Sequence, residues 1–305
     1  MTRFLVRRLI YLVVVILIAT VLVFTLSRLS GDPRALFLSE YTSQADWDAW
    51  GREMGLDKPY VFQYAIWLGK AVRGDFGVSL RDQTPAFGVI VSRIPATLQL
   101  ALGAFVFALV TGIPLGVLSA VKRGSAWDYI GRIFALLGQS MPAFWLGIML
   151  ILVLAVQLDW FPTGRRGGIT HFILPSITLG WGAAAGFVRL IRSSMLEILD
   201  SEYIKFARSK GVGGPTIIWK HAFKNAAIAP LTFAGLLLAG LITGAVVTET
   251  VFAWPGLGRL GVDAVFNNDF PIMAGVVLIV SVMYVGVNLV VDVAYALIDP
   301  RIRYG

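Results

Sequence analysis

Glu202, Lys205, Arg208 and Lys210 place one acidic and three basic side chains in nine residues, a run that ends on Gly211. Gly213 and Gly214 then make a tight turn, Pro215 opens a second stretch, and Lys220 and Lys224 follow before Pro230. Ser201 is positioned to cap a helix whose first residue is Glu202, where a carboxylate favours the positive end of the helix dipole. Tyr203, Phe206, Ala207 and Lys210 share a face at i, i+3, i+4 and i+7. Gly211 suits the left-handed position that stops a helix, and Pro215 suits the first position of a new one. Trp219, Phe223 and Ile218 give the second helix an apolar side, and Lys220 and Lys224 give it a basic one. The chemistry on offer is recognition. A rigid helical elbow with cations and rings can dock a soluble partner or rest on anionic lipid.

Bond-breaking chemistry has no comparable signature. There is no GxxxxGK[ST] phosphate loop, so ATP should not bind this chain, and no G-x-S-x-G nucleophile elbow. Cys is absent, which removes disulfides, thiolate metal sites and a cysteine nucleophile. His171 and His221, the only histidines, are fifty residues apart and on opposite expected sides of a membrane, so they form no shared metal site. The chain reads as a non-enzyme with no metal or cofactor of its own.

Isolated polar residues within apolar stretches form a second set of candidates, because such groups are costly in a bilayer. Gln139 and Ser140 precede Pro142. Glu249 lies near the end of one apolar stretch, and Asn288 and Asp292 share a face of another. Gln139, Glu249 and Asn288 are candidates for a solute path. The plainer expectations are an interfacial place for Glu249 and a packing or inter-subunit hydrogen bond for Asp292.

The elements that hold these residues are membrane helices. Of the 305 residues, 57% are hydrophobic and only 14% charged, far from soluble averages. The net charge of +8 does not point to nucleic acid, because the cations sit in short segments flanking apolar runs. Six stretches reach the roughly 20 residues that a spanning helix needs: 9–29, 97–121, 131–157, 171–192, 228–252 and 271–298. The first follows Arg3, Arg7 and Arg8. It is too long for a signal-peptide core and lacks a small-residue cleavage site, so it reads as an uncleaved span. Pro114, Pro142 and Pro175 fall inside spans two to four, where neighbouring helices can satisfy the freed carbonyls. Gly112/Gly116, Gly182/Gly186 and Gly240/Gly244 are pairs that let helices approach closely.

With the N-terminus inside, the inner segments carry fifteen Lys and Arg and the short outer segments four, which predicts an N-in, C-in, six-helix topology. The 30–96 loop is external and nearly charge-balanced, with seven basic and eight acidic residues. Ser43 is placed to cap a helix running to Met54, and Pro59 starts another with Tyr60, Tyr64, Trp67, Leu68 and Ala71 on one stripe. The loop reads as an interfacial cap or as a platform for an extracytoplasmic partner.

The segment 200–227 resembles the cytoplasmic EAA loop of ABC-importer permeases. Gly211 matches the glycine of that pattern. Lys205, Phe206 and Ala207 occupy its Glu-Ala-Ala positions, of which Ala207 alone matches. The fuller similarity is to the first permease subunit of dipeptide, oligopeptide and nickel-type importers, which reads Glu-Tyr-x-x-x-Ala-Arg-x-Lys-Gly, as at 202–211, then His-Ala-x-x-Asn-Ala, as at 221–226. Gly31-Asp32-Pro33, Gly55-Leu56-Asp57-Lys58-Pro59, Gly74-Asp75-Phe76-Gly77, Arg93-Ile94-Pro95-Ala96-Thr97, Leu174–Gly180, Trp254-Pro255-Gly256-Leu257-Gly258 and Asp299–Arg303 resemble the same branch, in the same order.

The resemblance implies an all-α type I importer permease, residues 1–305 forming one transmembrane unit in a prokaryotic inner membrane. A second, similar permease would complete the pore. Two ATPase subunits carrying ATP and magnesium would dock below, and an extracytoplasmic binding protein would deliver small peptides or related solutes above. Glu202, Ala207 and Gly211 would hold the elbow, with Lys205, Arg208 and Lys210 facing the ATPase. The rival classes are an ion-coupled carrier that needs no ATPase and a membrane scaffold. A carrier of that kind usually shows duplicated halves and midplane charges, whereas here residues 1–157 and 158–305 show no convincing repeat and midplane charges are few.

Overall fold

The computed structural model describes residues 2–29, 43–53 and 55–298. The Gly31-Asp32-Pro33 and Asp299–Arg303 blocks, and Met54, lie outside them. The described residues are mostly helical. The only strand-like pairing among them is an isolated bridge between Val78 and Pro85.

Four of the expected spans are single helices. They are α4 (Ala86–Val121), α7 (Ile169–Leu199), α10 (Ile228–Val251) and α12 (Phe270–Ile298), each long and apolar enough to cross a bilayer. α4 begins at Ala86, so the last eleven residues of the expected 30–96 loop are helix. α1 (Thr2–Leu29) has an apolar stretch at Ile10–Thr25, shorter than the others.

The expected third span, 131–157, is not one helix. α5 (Ala126–Ser140) and α6 (Ala143–Leu150), the latter continuing as a π-helical turn Ile151–Gln157, meet at an angle of 111°. The cause is local. Pro142 has no N–H to donate, and its ring drives the preceding residue out of the helical region. Met141 accordingly sits at φ −88°, ψ 127°.

The outer elements fold onto this frame. α2 (Gln44–Glu53) starts directly after Ser43, and α3 (Tyr60–Val72) lies against α1. Phe24 of α1 is buried among Tyr60, Tyr64 and Trp67, with ring centroids 5.2–5.6 Å away, and the hydroxyls of Thr20 and Tyr64 are 2.8 Å apart. The expected aromatic stripe is therefore the face of α3 turned toward α1, half-buried at Tyr64, Trp67 and Leu68 and buried at Ala71, with Tyr60 more exposed.

The core runs the length of α4, which at 36 residues spans about 54 Å. At its start, Ala86 and Ile90 pack with Leu257, Ala264 and Ile272. Toward its end, Val117 and Ala120 pack with Ile191 and Met195 of α7. Small residues set the closeness of α4 and α7. A Cβ on Gly112 would lie 2.6 Å from Phe187 Cβ, and one on Gly116 would lie 3.0 Å from Ile191 Cβ. Gly240 of α10, by contrast, faces open space, and Gly244 comes only within 3.9 Å of Leu179.

Candidate functional site

The elbow is made of α8 (Glu202–Ser209) and a second helical stretch, 214–226, here α9, whose middle turns Ile217–Phe223 are π-helical. Gly211 joins them at φ +78°, and no atom approaches the place of its missing Cβ. Glycine is needed there for backbone shape and not for packing. The stop is closed by Gly211 N donating to Arg208 O at 2.9 Å and Val212 N donating to Ala207 O at 3.2 Å. Ser201 does not cap α8. Its hydroxyl turns back to donate to Ile198 O at 2.5 Å, and it makes no side-chain cap to α8. Pro215 stands second in its helix, one place later than expected, because Gly214 takes the first.

Which side chains the elbow buries differs from the pattern read in the sequence. Ile204, Ile217, Ala222 and Ala226 are the buried set, and they join Val117, Ile191 and Met195 in one cluster. The spacing from Ile217 to Ala222 is five residues because the π turn adds one per revolution. Tyr203, Phe206 and Trp219 point outward instead. Phe206 is 61% exposed and Trp219 54%. Lys210 lies 4.3 Å over the Phe206 ring, and Lys205 pairs with Glu202 at 2.7 Å in solvent. Tyr203 ties the two helices together. Its hydroxyl donates to His221 O at 3.1 Å and accepts from Asn225 Nδ2 at 3.1 Å. The elbow therefore has an apolar inner face fused to the bases of α4 and α7, and an outer face of rings and cations.

A charged hub that the sequence pattern did not reveal lies just above it. Asp128, in the first turn of α5, is buried. It accepts from Arg192 Nε at 2.7 Å and Arg192 Nη2 at 3.1 Å, from Ser119 Oγ at 2.9 Å and from Gly124 N at 3.0 Å, with Arg132 Nε 3.5 Å away. One carboxylate thus joins α4, the 122–125 turn, α5 and α7. The available signal was a lone Asp among four cations, Lys122, Arg123, Arg132 and Arg192, at the edge of apolar runs.

The three solute-path candidates do not converge. Gln139 Oε1 accepts from Arg189 Nη1 at 3.0 Å on an exposed surface beside the bend. Asn288 donates to Tyr284 O within its own helix, and Asp292 pairs with Arg8 of α1 at 3.0 Å. Glu249 is fully buried. Its Oε1 accepts from Thr97 Oγ1 at 2.7 Å and its Oε2 from Arg259 N at 3.0 Å. Thr97 in turn accepts from Leu257 N at 2.8 Å, and Trp254 Nε1 donates to Ala96 O at 2.8 Å. A Cβ on Gly256 would collide with the Glu249 carboxylate and one on Gly258 would lie 2.5 Å from Val246 Cα, which explains the two glycines of the Trp-Pro-Gly-Leu-Gly block. This network clamps the 252–258 turn to α4, far from the elbow.

Thr97→Val should cost about 1–3 kcal/mol, because it leaves a buried carboxylate oxygen and a buried N–H without a partner. A lowered melting temperature of the detergent-solubilised protein checks this, and an unchanged one contradicts the clamp.

Comparison with known proteins gives the family. The family described as "Binding-protein-dependent transport system inner membrane component" matches residues 112–304, and the corresponding N-terminal family matches residues 1–101. The chain is 39% identical to the oligopeptide transport system permease protein AppB of Bacillus subtilis and to the glutathione transport system permease protein GsiC of Escherichia coli K12. It is 36% identical to the dipeptide transport system permease protein DppB of Alkalihalophilus pseudofirmus. In each case all of both chains is covered. In fold it resembles a chain of the inward-facing MetNI methionine ABC transporter, with a TM-score of 0.57 and 21% identity over 69% of this chain and 96% of that one. The chain belongs to the family of inner-membrane components of binding-protein-dependent transport systems, and is a permease subunit of an ABC importer.

Proposed function

We propose that the chain forms half of a pathway for small peptides or related solutes, the classes named for its relatives AppB, DppB and GsiC. The observation that carries the coupling part of this reading is the two-faced elbow. Its buried residues Ile204, Ile217, Ala222 and Ala226 weld it to α4 and α7, while Phe206, Trp219, Lys205, Arg208 and Lys210 are left outward for a partner. That partner is a cytoplasmic ATPase, two copies of which bind ATP and magnesium. Their closure moves the paired elbows and exchanges inward-open for outward-open states.

In this reading α1 is a span and the bent α5–α6 pair counts as one, so the topology is six-span with both ends inside. Retention of fifteen cations on the inner side supports it. A second permease packs beside this one to close the pathway, and the open Gly240 face of α10 offers it a smooth surface. A solute-binding protein meets the external 30–96 segment.

Isolation in mild detergent tests the assembly. An ATPase and a second permease should co-purify, and uptake into liposomes should require both, together with ATP. Uptake of peptide by this chain alone, driven by an ion gradient, would overturn the reading.

A further inference from the structure

We infer that a cavity at the end of the bundle opposite the elbow is a receiving site for the carboxylate end of a short peptide, with Arg93 as its anchor. The inference rests on the importer reading above and adds a site to it.

The cavity has a volume of about 220 Å³. It is bounded by the turn 79–82, by Val89 and Arg93 of α4, by α11 (Leu257–Phe266), and by the stretch 267–272 that leads into α12. Of its carboxylates, Asp269 is firmly engaged and Asp82 and Asp263 only loosely. Asp269 is buried, accepts from Ser79 Oγ at 2.5 Å and caps α12 through Ile272 N at 3.3 Å. Asp82 lies 3.8 Å from Arg81, and Asp263 lies 3.8 Å from Arg259.

Arg93 is the exception. Its Nε is buried and has no hydrogen-bond partner. An arginine cannot escape this by losing its proton, and an unmet buried donor costs about 1–3 kcal/mol, more when charged. Buried polar groups in native proteins are nearly always satisfied, so an orphan donor on the wall of a cavity marks the place of a missing acceptor. The planar guanidinium fork is matched in geometry by a carboxylate, which can accept two parallel N–H bonds.

Two further features narrow the ligand. The volume is below the roughly 300 Å³ at which pockets begin to enclose drug-sized molecules, so the cavity holds one end of a peptide, or a very short one entire. Asp82 and Asp263 are long, half-exposed pairs at 3.8 Å, loose enough to turn toward an ammonium while Arg93 holds the carboxylate. Both charges of a zwitterion are thereby complemented on one rim. Leu260 and Ile272 give the wall an apolar part for side chains of either end.

The test uses the assembled transporter in nanodiscs of zwitterionic lipid, without binding protein. Labelled Ala-Ala and its C-terminal amide are the probes. Ala-Ala should bind saturably, and the amide at least tenfold more weakly. Arg93→Gln should lower Ala-Ala affinity at least tenfold and erase the difference between acid and amide, in a complex that still elutes as one assembly. Arg93→Lys should recover part of the loss.

Equal binding of acid and amide to the wild-type complex, or no saturable binding of Ala-Ala, overturns the site without relying on any variant. So does an Arg93→Gln complex that binds Ala-Ala normally but loses capture of a peptide-delivering protein, or loses retention of phosphatidylglycerol. Those results would make the cavity a protein seat or a lipid seat. ATP-driven uptake by the wild-type complex separates this failure from the larger one. Uptake with unaltered Arg93→Gln affinity removes only the site, whereas no ATP-driven peptide uptake removes the peptide-importer reading beneath it.

Discussion

Gly211→Pro should reduce ATP-driven uptake by the assembled transporter at least a hundredfold while the chain still inserts. Gly211 holds φ +78°, whereas a proline ring fixes φ near −65°. The substitution also deletes the N–H that donates to Arg208 O at 2.9 Å. The connection between α8 and α9 therefore cannot keep its shape, and Val212, packed against the elbow's core, is carried with it. Because no atom lies near the glycine's missing Cβ, the failure comes from backbone conformation and not from crowding. A control follows from the same argument. Gly211→Asn should keep most activity, since asparagine tolerates the left-handed region, and Gly211→Ala should fall between them at a cost of roughly 1–2 kcal/mol. Initial rates of peptide uptake into proteoliposomes, with membrane insertion followed by immunoblot, measure the series. Wild-type rates in the proline variant would remove the elbow from the coupling path.

The second large effect is expected at Asp128. Asp128→Ala removes the acceptor of two Arg192 N–H bonds and leaves a partly buried guanidinium uncompensated, along with Ser119 Oγ and Gly124 N. Breaking one side of a buried ion pair costs roughly 3–5 kcal/mol. Asp128→Ala/Arg192→Leu should be more stable than the single Asp128→Ala, because the stranded charge is gone. Thermal melts of the four proteins in one detergent give the coupling energy. Strict additivity would show that the hub makes no energetic link between α5 and α7.

Much of this architecture was legible in the residues. The apolar runs located α4, α7, α10 and α12 to within about a turn at their ends, except for the early start of α4 and the C-terminal end of α7, which runs on from the expected 192 to Leu199. The Gly211 stop and the Tyr60, Tyr64, Trp67 stripe were readable because each depends on a local rule, a left-handed glycine or a helical period. The features that escaped are those in which distance or context decides. Hydropathy is continuous across Ser140, Met141 and Pro142, so it could not tell a kink from a 111° bend. Asp128 lies ahead of the expected start of the third span at 131, and its partner Arg192 is 64 residues away. Ile204 escaped because the larger rings of Tyr203 and Phe206 suggested a different inner face. Glu249 was expected near the interface, yet it is buried by a turn that folds back over it, which no single stretch of sequence displays.

The length of α4 has a mechanical consequence. One end is gripped by the elbow through Val117 and Ala120, and the other lies beside Arg93 and the Thr97 clamp. A lever about 54 Å long, pivoted near one tip, carries the opposite tip about 5 Å for each 5° of tilt. Ångström-scale strokes at the gripped tip need no relay of successive rearrangements to be felt where cargo would first touch the protein. The stiffness of a single rod sets the gearing.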